Sequence, residues 1–260
     1  RELVPDDLKL NYWSGQYVNY QNIIRCQLSM QDYQGAFNSI EKSTARLLLE
    51  RIASKAGKNS NLFVDPTQWQ KNISQEQAIL CFGNIGNKLT TILTDANSIN
   101  GIGVNDDIWV KSVKDRYSIS DISSFEKLRA FKRIQGNTPN TELAVNQPQK
   151  ENWDRTKREI EKIANNYRSL LSKPIKTPAE KETIDFLGKK FYELLILPVE
   201  DKLVGKKELV IIPNDLLAFL PYEAFIMPDG RYLVEKYDIR YLPSLSVGNE
   251  LANRKYSDNR

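Results

Sequence analysis

The chain has 260 residues, 40% hydrophobic and 27% charged, with 37 Lys and Arg against 33 Asp and Glu for a formal charge of +4. This is ordinary globular composition, enough for one large or two small domains, and the faint basic bias is not the concentrated footprint of a nucleic-acid binder. There is no histidine at all, so no Ser-His-Asp triad, Cys-His nucleophile or HExxH zinc site can be assembled from these residues.

Other classes fall for different reasons. No run approaches the ~18 apolar residues a membrane helix needs, and the first residues, RELVPDDLK, are too charged for a secretory leader. No GxxxxGK[ST] loop is present, and Gly101-Ile102-Gly103 lacks the third glycine of a dinucleotide fingerprint. No cofactor and no metal are expected. Cys26 and Cys81 are the only cysteines, which fits a reducing, cytoplasmic setting, with both thiols unpaired, structural and slow to label. A chain that starts at Arg1 without an initiator Met reads as a piece of a longer protein.

Trp13, Tyr17, Tyr20, Ile24 and Leu28 recur at steps of three and four, which predicts a helix over 9–30. Asp32 then serves as the N-cap of a second helix, with Ala36, Ile40, Leu47, Leu48 and Ile52 on its stripe and an end near Gly57. Gln31 to Ala36 resembles the turn of a tetratricopeptide repeat, so residues 1–58 are expected to form such a helical hairpin, with further repeats upstream. A plain helical hairpin is the alternative.

After a short helical turn at Asp65-Pro66-Thr67, AILCFG (78–83) and KLTTILTD (88–95) flank NIGN and predict a β-hairpin. Ile108 to Val113 reads as a third strand. Ser123 with Glu126 predicts a capped helix running past Ile134, followed by a polar loop over 136–149. Trp153, Ile160, Ile163, Tyr167 and Leu170 mark a long amphipathic helix that ends before Pro174. Thr177-Pro178-Ala179-Glu180 starts another, with Ile184, Leu187, Phe191 and Leu195 inward and Pro198 as its stop.

Leu209 to Ile212 is apolar on both faces, as a strand covered by helices on both sides must be. Pro213 ends it. Met227-Pro228-Asp229-Gly230 is a tight turn, Tyr237 to Tyr241 alternates like a half-buried strand, and NRKYSDNR closes the chain as a frayed tail. The fold class is therefore α/β over 59–260: a mixed sheet flanked by helices, preceded by the helical hairpin.

Four motifs are more specific than this periodicity. Pro213-Asn214 ends the apolar strand and Leu220-Pro221-Tyr222-Glu223-Ala224 follows in a loop. Asp229-Gly230-Arg231-Tyr232-Leu233 then makes a turn, and Tyr241-Leu242-Pro243-Ser244 closes a strand. Together they resemble the CHAT family, caspase-like domains found after tetratricopeptide repeats. Weaker likenesses occur at 36–52, 75–84 and 191–213, so the resemblance runs from about residue 36. It implies a caspase-like sheet and a cysteine-protease dyad whose His and Cys lie C-terminal to the YxPS motif. This chain would then be the large N-terminal portion, inactive alone and completed by a C-terminal fragment that brings both residues, with a protein as substrate or regulator. The alternative is a pseudo-protease that serves as an interaction module, and a nucleic-acid accessory role rests only on the charge and on Tyr and Trp content.

No catalytic residue is assigned within the chain. The apolar loop containing Phe219, Leu220, Pro221, Tyr222, Glu223 and Phe225 is the candidate fragment interface or pocket wall, with packing inside this chain as the plain alternative. Arg260 is the candidate maturation cut, since clan relatives cleave after basic residues and the tail is polar. The SxxK patterns at Ser39–Lys42 and Ser124–Lys127 are read as helix faces among solvated charges. Ser244 to Gly248 lacks the first glycine of a nucleophile elbow and is rejected. The mixed run Lys157, Arg158, Glu159, Glu161 and Lys162 reads as a solvated helix face.

Overall fold

The computed structural model describes residues 19–55, 65–85, 88–116, 147–174, 176–213 and 215–252. Trp13, Tyr17, the helix expected from Ser123, most of the 136–149 loop, the second SxxK pattern and the tail with Arg260 lie outside them. None of the described helices is long and apolar enough to cross a membrane.

A helix over residues 19–29 (α1) turns directly into Tyr33–Lys55 (α2). The turn is a Schellman arrangement: Asp32 N donates to Gln27 O at 2.8 Å, Gln31 N donates to Leu28 O at 3.0 Å, and Gln31 is left-handed at φ 60. As expected, Asp32 caps α2, its side chain accepting from Gly35 N at 2.9 Å. A short helix, Pro66–Gln70 (α3), follows.

The hairpin of Gln77–Ile85 (β1) and Lys88–Thr94 (β2) forms as the pattern requires, antiparallel in a continuous register. The third strand does not lie where it was expected. Ile99–Asn105 (β3) pairs antiparallel with β2, and Ile108 to Val113 belongs to a helix, Asp106–Lys114 (α4). Asn105 caps that helix, accepting from Ile108 N at 3.1 Å, while Asp106 and Asp107 occupy its first turn and Lys111 and Lys114 its last. Trp109, Val110 and Val113 are its buried stripe, and Ile108 is 69% exposed. So short an apolar run fits both periods, and the caps on either side decide between them. INGIGVN becomes a strand despite its two glycines, pairing with β2 along its whole length. A Cβ on Gly101 would come within 2.3 Å of Tyr33 Cδ1, so α2 packs closely only over glycine.

The long helices follow. Gln147–Ser172 (α5) begins earlier than its stripe implies, taking in the last three residues of the expected loop. Pro178–Leu195 (α6) starts with the full capping box at Thr177 and Glu180, and a 3-10 segment, Leu197–Leu203, leads on from it. Glu208–Ile212 (β4) lies parallel to both β1 and Asp238–Tyr241 (β5), which gives a mixed sheet in the order β3-β2-β1-β4-β5. The last element is Leu245–Ala252 (α7).

Alternation across the sheet divides the core in two. Leu80, Phe82, Leu209 and Ile211 face α4, α5 and α6, whereas Ile79, Cys81, Val210 and Ile212 face α1, α2, α3 and α7. The helical hairpin is thus one wall of the α/β core. Both sides of β4 are buried, as its unbroken apolar sequence demands.

Candidate functional site

β1, β4 and β5 run parallel, so their carboxyl ends share one edge, where open α/β sheets place their ligands. The loop after β4 and the strand end after β5 meet there. Leu217, Leu220, Tyr222 and Phe225 turn inward and are buried, and Phe219 is 66% exposed beneath the Arg168 guanidinium, 5.1 Å from its ring. Pro221 and Glu223 are partly exposed. Of the six loop residues singled out from the sequence, Leu220, Tyr222 and Phe225 are therefore covered by this chain's own core. Phe219, Pro221 and Glu223 remain available at the surface.

Aromatic packing holds the loop down. Tyr222 stacks on Phe82 at 5.7 Å and meets Phe225 at 5.0 Å, and Phe225 stacks on Phe191 at 5.8 Å. Tyr167 donates its hydroxyl to Ala224 O at 2.5 Å. Gly188 of α6 sits against the same backbone, where a Cβ would meet Ala224 O at 3.0 Å and Tyr167 Oη at 3.1 Å.

The motif letters connect to one another. Tyr241 of YLPS donates to Glu223 Oε2 of LPYEA at 2.6 Å and accepts from Tyr222 N at 3.1 Å. Burial, then the Glu223 carboxylate, pushes the Tyr241 phenol above its ordinary range. In the DGRYL turn, Gly230 takes φ 87, Asp229 accepts from Arg231 N and Leu233 N reaches back to Phe225 O at 2.8 Å. Ser244 accepts from Val247 N at 3.1 Å and so caps α7.

The residue that the sequence reading missed is Glu41. The first SxxK pattern was expected among solvated charges, yet Ser39 is buried and Glu41 is 1% exposed. Its carboxylate accepts from Leu245 N at 2.7 Å, Ser246 N at 3.2 Å and Ser246 Oγ at 3.1 Å, binding α2 to the start of α7. Burial raises its pKa, and these hydrogen bonds pull it back only in part. The signal was present in the spacing: Glu41 follows Phe37 and Ile40 on the apolar stripe of α2.

Cys81 lies in β1 opposite Ile212, fully buried. Burial first, then the Glu41 charge, pushes its thiol well above the ordinary range, which is the reverse of an activated nucleophile. Cys26 is unpaired but exposed, so the expectation that both thiols label slowly fails for it. In the mixed charge run, Glu159 is largely buried and pairs with Lys114 at 2.7 Å and Lys162 at 3.1 Å. Among the described residues no group of three or more His, Cys, Asp or Glu is placed to hold a metal ion.

No curated protein matches the chain. A family model, described as the CHAT domain, matches residues 185–260, a segment that begins inside α6 and takes in β4, the apolar loop, β5 and α7. That segment contains all four motifs on which the resemblance rests. Over residues 185–260 the chain is therefore similar to the CHAT domain, as the loop and strand-end motifs imply.

Proposed function

We propose that this chain is the large, N-terminal portion of a CHAT-family caspase-like cysteine protease whose His and Cys come from polypeptide C-terminal to the YLPS motif. The observation that carries the reading is the CHAT match over 185–260, with three of its four motifs, at Pro213, at 220–224 and at 241–244, gathered at the carboxyl edge of parallel strands. In the completed enzyme a thiolate attacks a peptide carbonyl, His serves as general acid and base, and backbone N–H groups stabilise the oxyanion. This chain supplies the sheet and the loop. Phe219, Pro221 and Glu223 form its contact with the completing segment or with the substrate, and Arg260 is a maturation cut that leaves two associated fragments. Its partners are that segment, a protein substrate or regulator, and tetratricopeptide repeats upstream. No cofactor or nucleic acid takes part, and the unpaired thiols suit the cytoplasm.

The test is the parent protein. Its sequence beyond residue 260 is read for a His and a Cys at strand ends, and purified parent and isolated chain are assayed on a fluorogenic peptide library. Turnover by the parent, lost on substitution of that Cys and absent from the isolated chain, is expected. An inactive parent that still binds proteins would make the chain a non-catalytic interaction module. Replacing Arg260 with Ala in the parent tests the cut: unchanged fragments on gels and unchanged activity overturn it.

A further inference from the structure

The two edges of the sheet differ in how they are guarded. β5 is four residues long and carries Asp238 and Arg240, features that discourage strand addition. β3 is seven residues long, INGIGVN, with no charge and no proline. Which of its backbone groups are free follows from the ladder. Asp95 N donates to Ser98 O at 3.0 Å, so bonded pairs alternate onward at Leu93/Asn100 and Thr91/Ile102, and past them Leu89 N turns to the Asp106 carboxylate at 2.6 Å. The N–H and C=O groups of Ile99, Gly101 and Gly103 therefore turn outward, while the carbonyl of Asn105, as N-cap, belongs to α4. Among the described residues no strand pairs with β3 on that side.

We infer that β3 is a self-association edge, pairing antiparallel with β3 of a second copy across a two-fold axis at Ile102. That axis sets Gly101 opposite Gly103 of the other copy and Ile99 opposite its Asn105. The outward groups of Gly101 and Gly103 then meet one another on both sides of the axis, the Asn105 N–H faces the Ile99 carbonyl of the other copy, and no like charges face each other. Ile102, 38% exposed, packs against its own symmetry mate at the centre. A sequence-specific peptide suits this edge less well. Peptide capture by strand addition reads alternate side chains in pockets, and here the neighbouring positions are glycines.

The experiment is sedimentation of the full chain over a concentration series, with Ile102→Lys, Ile102→Glu and their equimolar mixture alongside. Circular dichroism confirms that each variant is folded. A reversible dimer is expected for the wild type. Each variant alone should associate at least roughly tenfold more weakly, because like charges face each other at the axis, and the mixture should regain association. A wild type that stays monomeric throughout, or a dimer that Ile102→Lys leaves intact, overturns the inference. So does a mixture no more associated than its parts.

Discussion

The Tyr241 hydroxyl joins two loops that are 18 residues apart in the chain, donating to Glu223 at 2.6 Å while accepting the Tyr222 amide at 3.1 Å. One phenol thereby ties the end of β5 to the loop after β4. Tyr241→Phe should cost about 1 kcal/mol, since this partly exposed position lets water replace some of the lost bonding. Urea unfolding measures it, and hydrogen exchange should localise the loosening to 217–225. A variant as stable as the wild type, with unchanged exchange there, would remove the tie from the account.

Alkaline pH offers a second check. Burial is the main cause that raises Tyr167, Tyr192 and Tyr222 above the ordinary tyrosine range. For acids raised on folding, the stabilising contribution is complete below the unfolded value and is lost as pH climbs through the folded one. Stability should therefore fall above about pH 10, with these three phenols ionising only as the chain unfolds. Stopped-flow absorbance of phenolate after a pH jump distinguishes fast from unfolding-limited tyrosines. Ionisation of every tyrosine in the fast phase would contradict the burial.

Glu41 makes a prediction of the same sign in acid. Its raised carboxyl favours the folded chain while protonated, and that contribution disappears as pH rises from the ordinary glutamate range through the raised value. Glu41→Gln should flatten that part of the stability curve, and identical pH dependence in the two proteins would falsify the assignment. Glu41→Ala should also strand the amides of Leu245 and Ser246, at a cost of about 1–3 kcal/mol. Faster exchange in α7 would report the loss.

Thiol labelling separates the two cysteines. Cys26 is exposed and should react at once in the native chain, while Cys81 should react only on unfolding. Two fast thiols per native chain would place Cys81 outside the core.

Gly188 is a close approach between helix and loop. Alanine there gains about 1 kcal/mol of helix propensity but crowds Ala224 O and Tyr167 Oη, so Gly188→Ala should lose about 1 kcal/mol net and Gly188→Val about 3. A stabilised Gly188→Ala would mean that the loop yields more readily than its packing implies.

By itself the sequence determined the strongly periodic and strongly punctuated parts. Helices α5 and α6, the capping box at Thr177, the hairpin, the doubly buried β4 and the turn at Gly230 were all legible, because each rests on local spacing or on one residue's φ preference. The CHAT motifs were legible for the same reason, as short contiguous strings. What only the tertiary structure decided are the pairings between distant segments. Residues 99–105 became the third strand because β2 offered an edge and Tyr33 required a glycine beneath it, while 108–113 became a helix under the Asn105 cap. Glu41 is the sharpest case. Nothing within α2 says that a buried carboxylate is tolerable, because the amides that satisfy it belong to α7, 204 residues further along the chain.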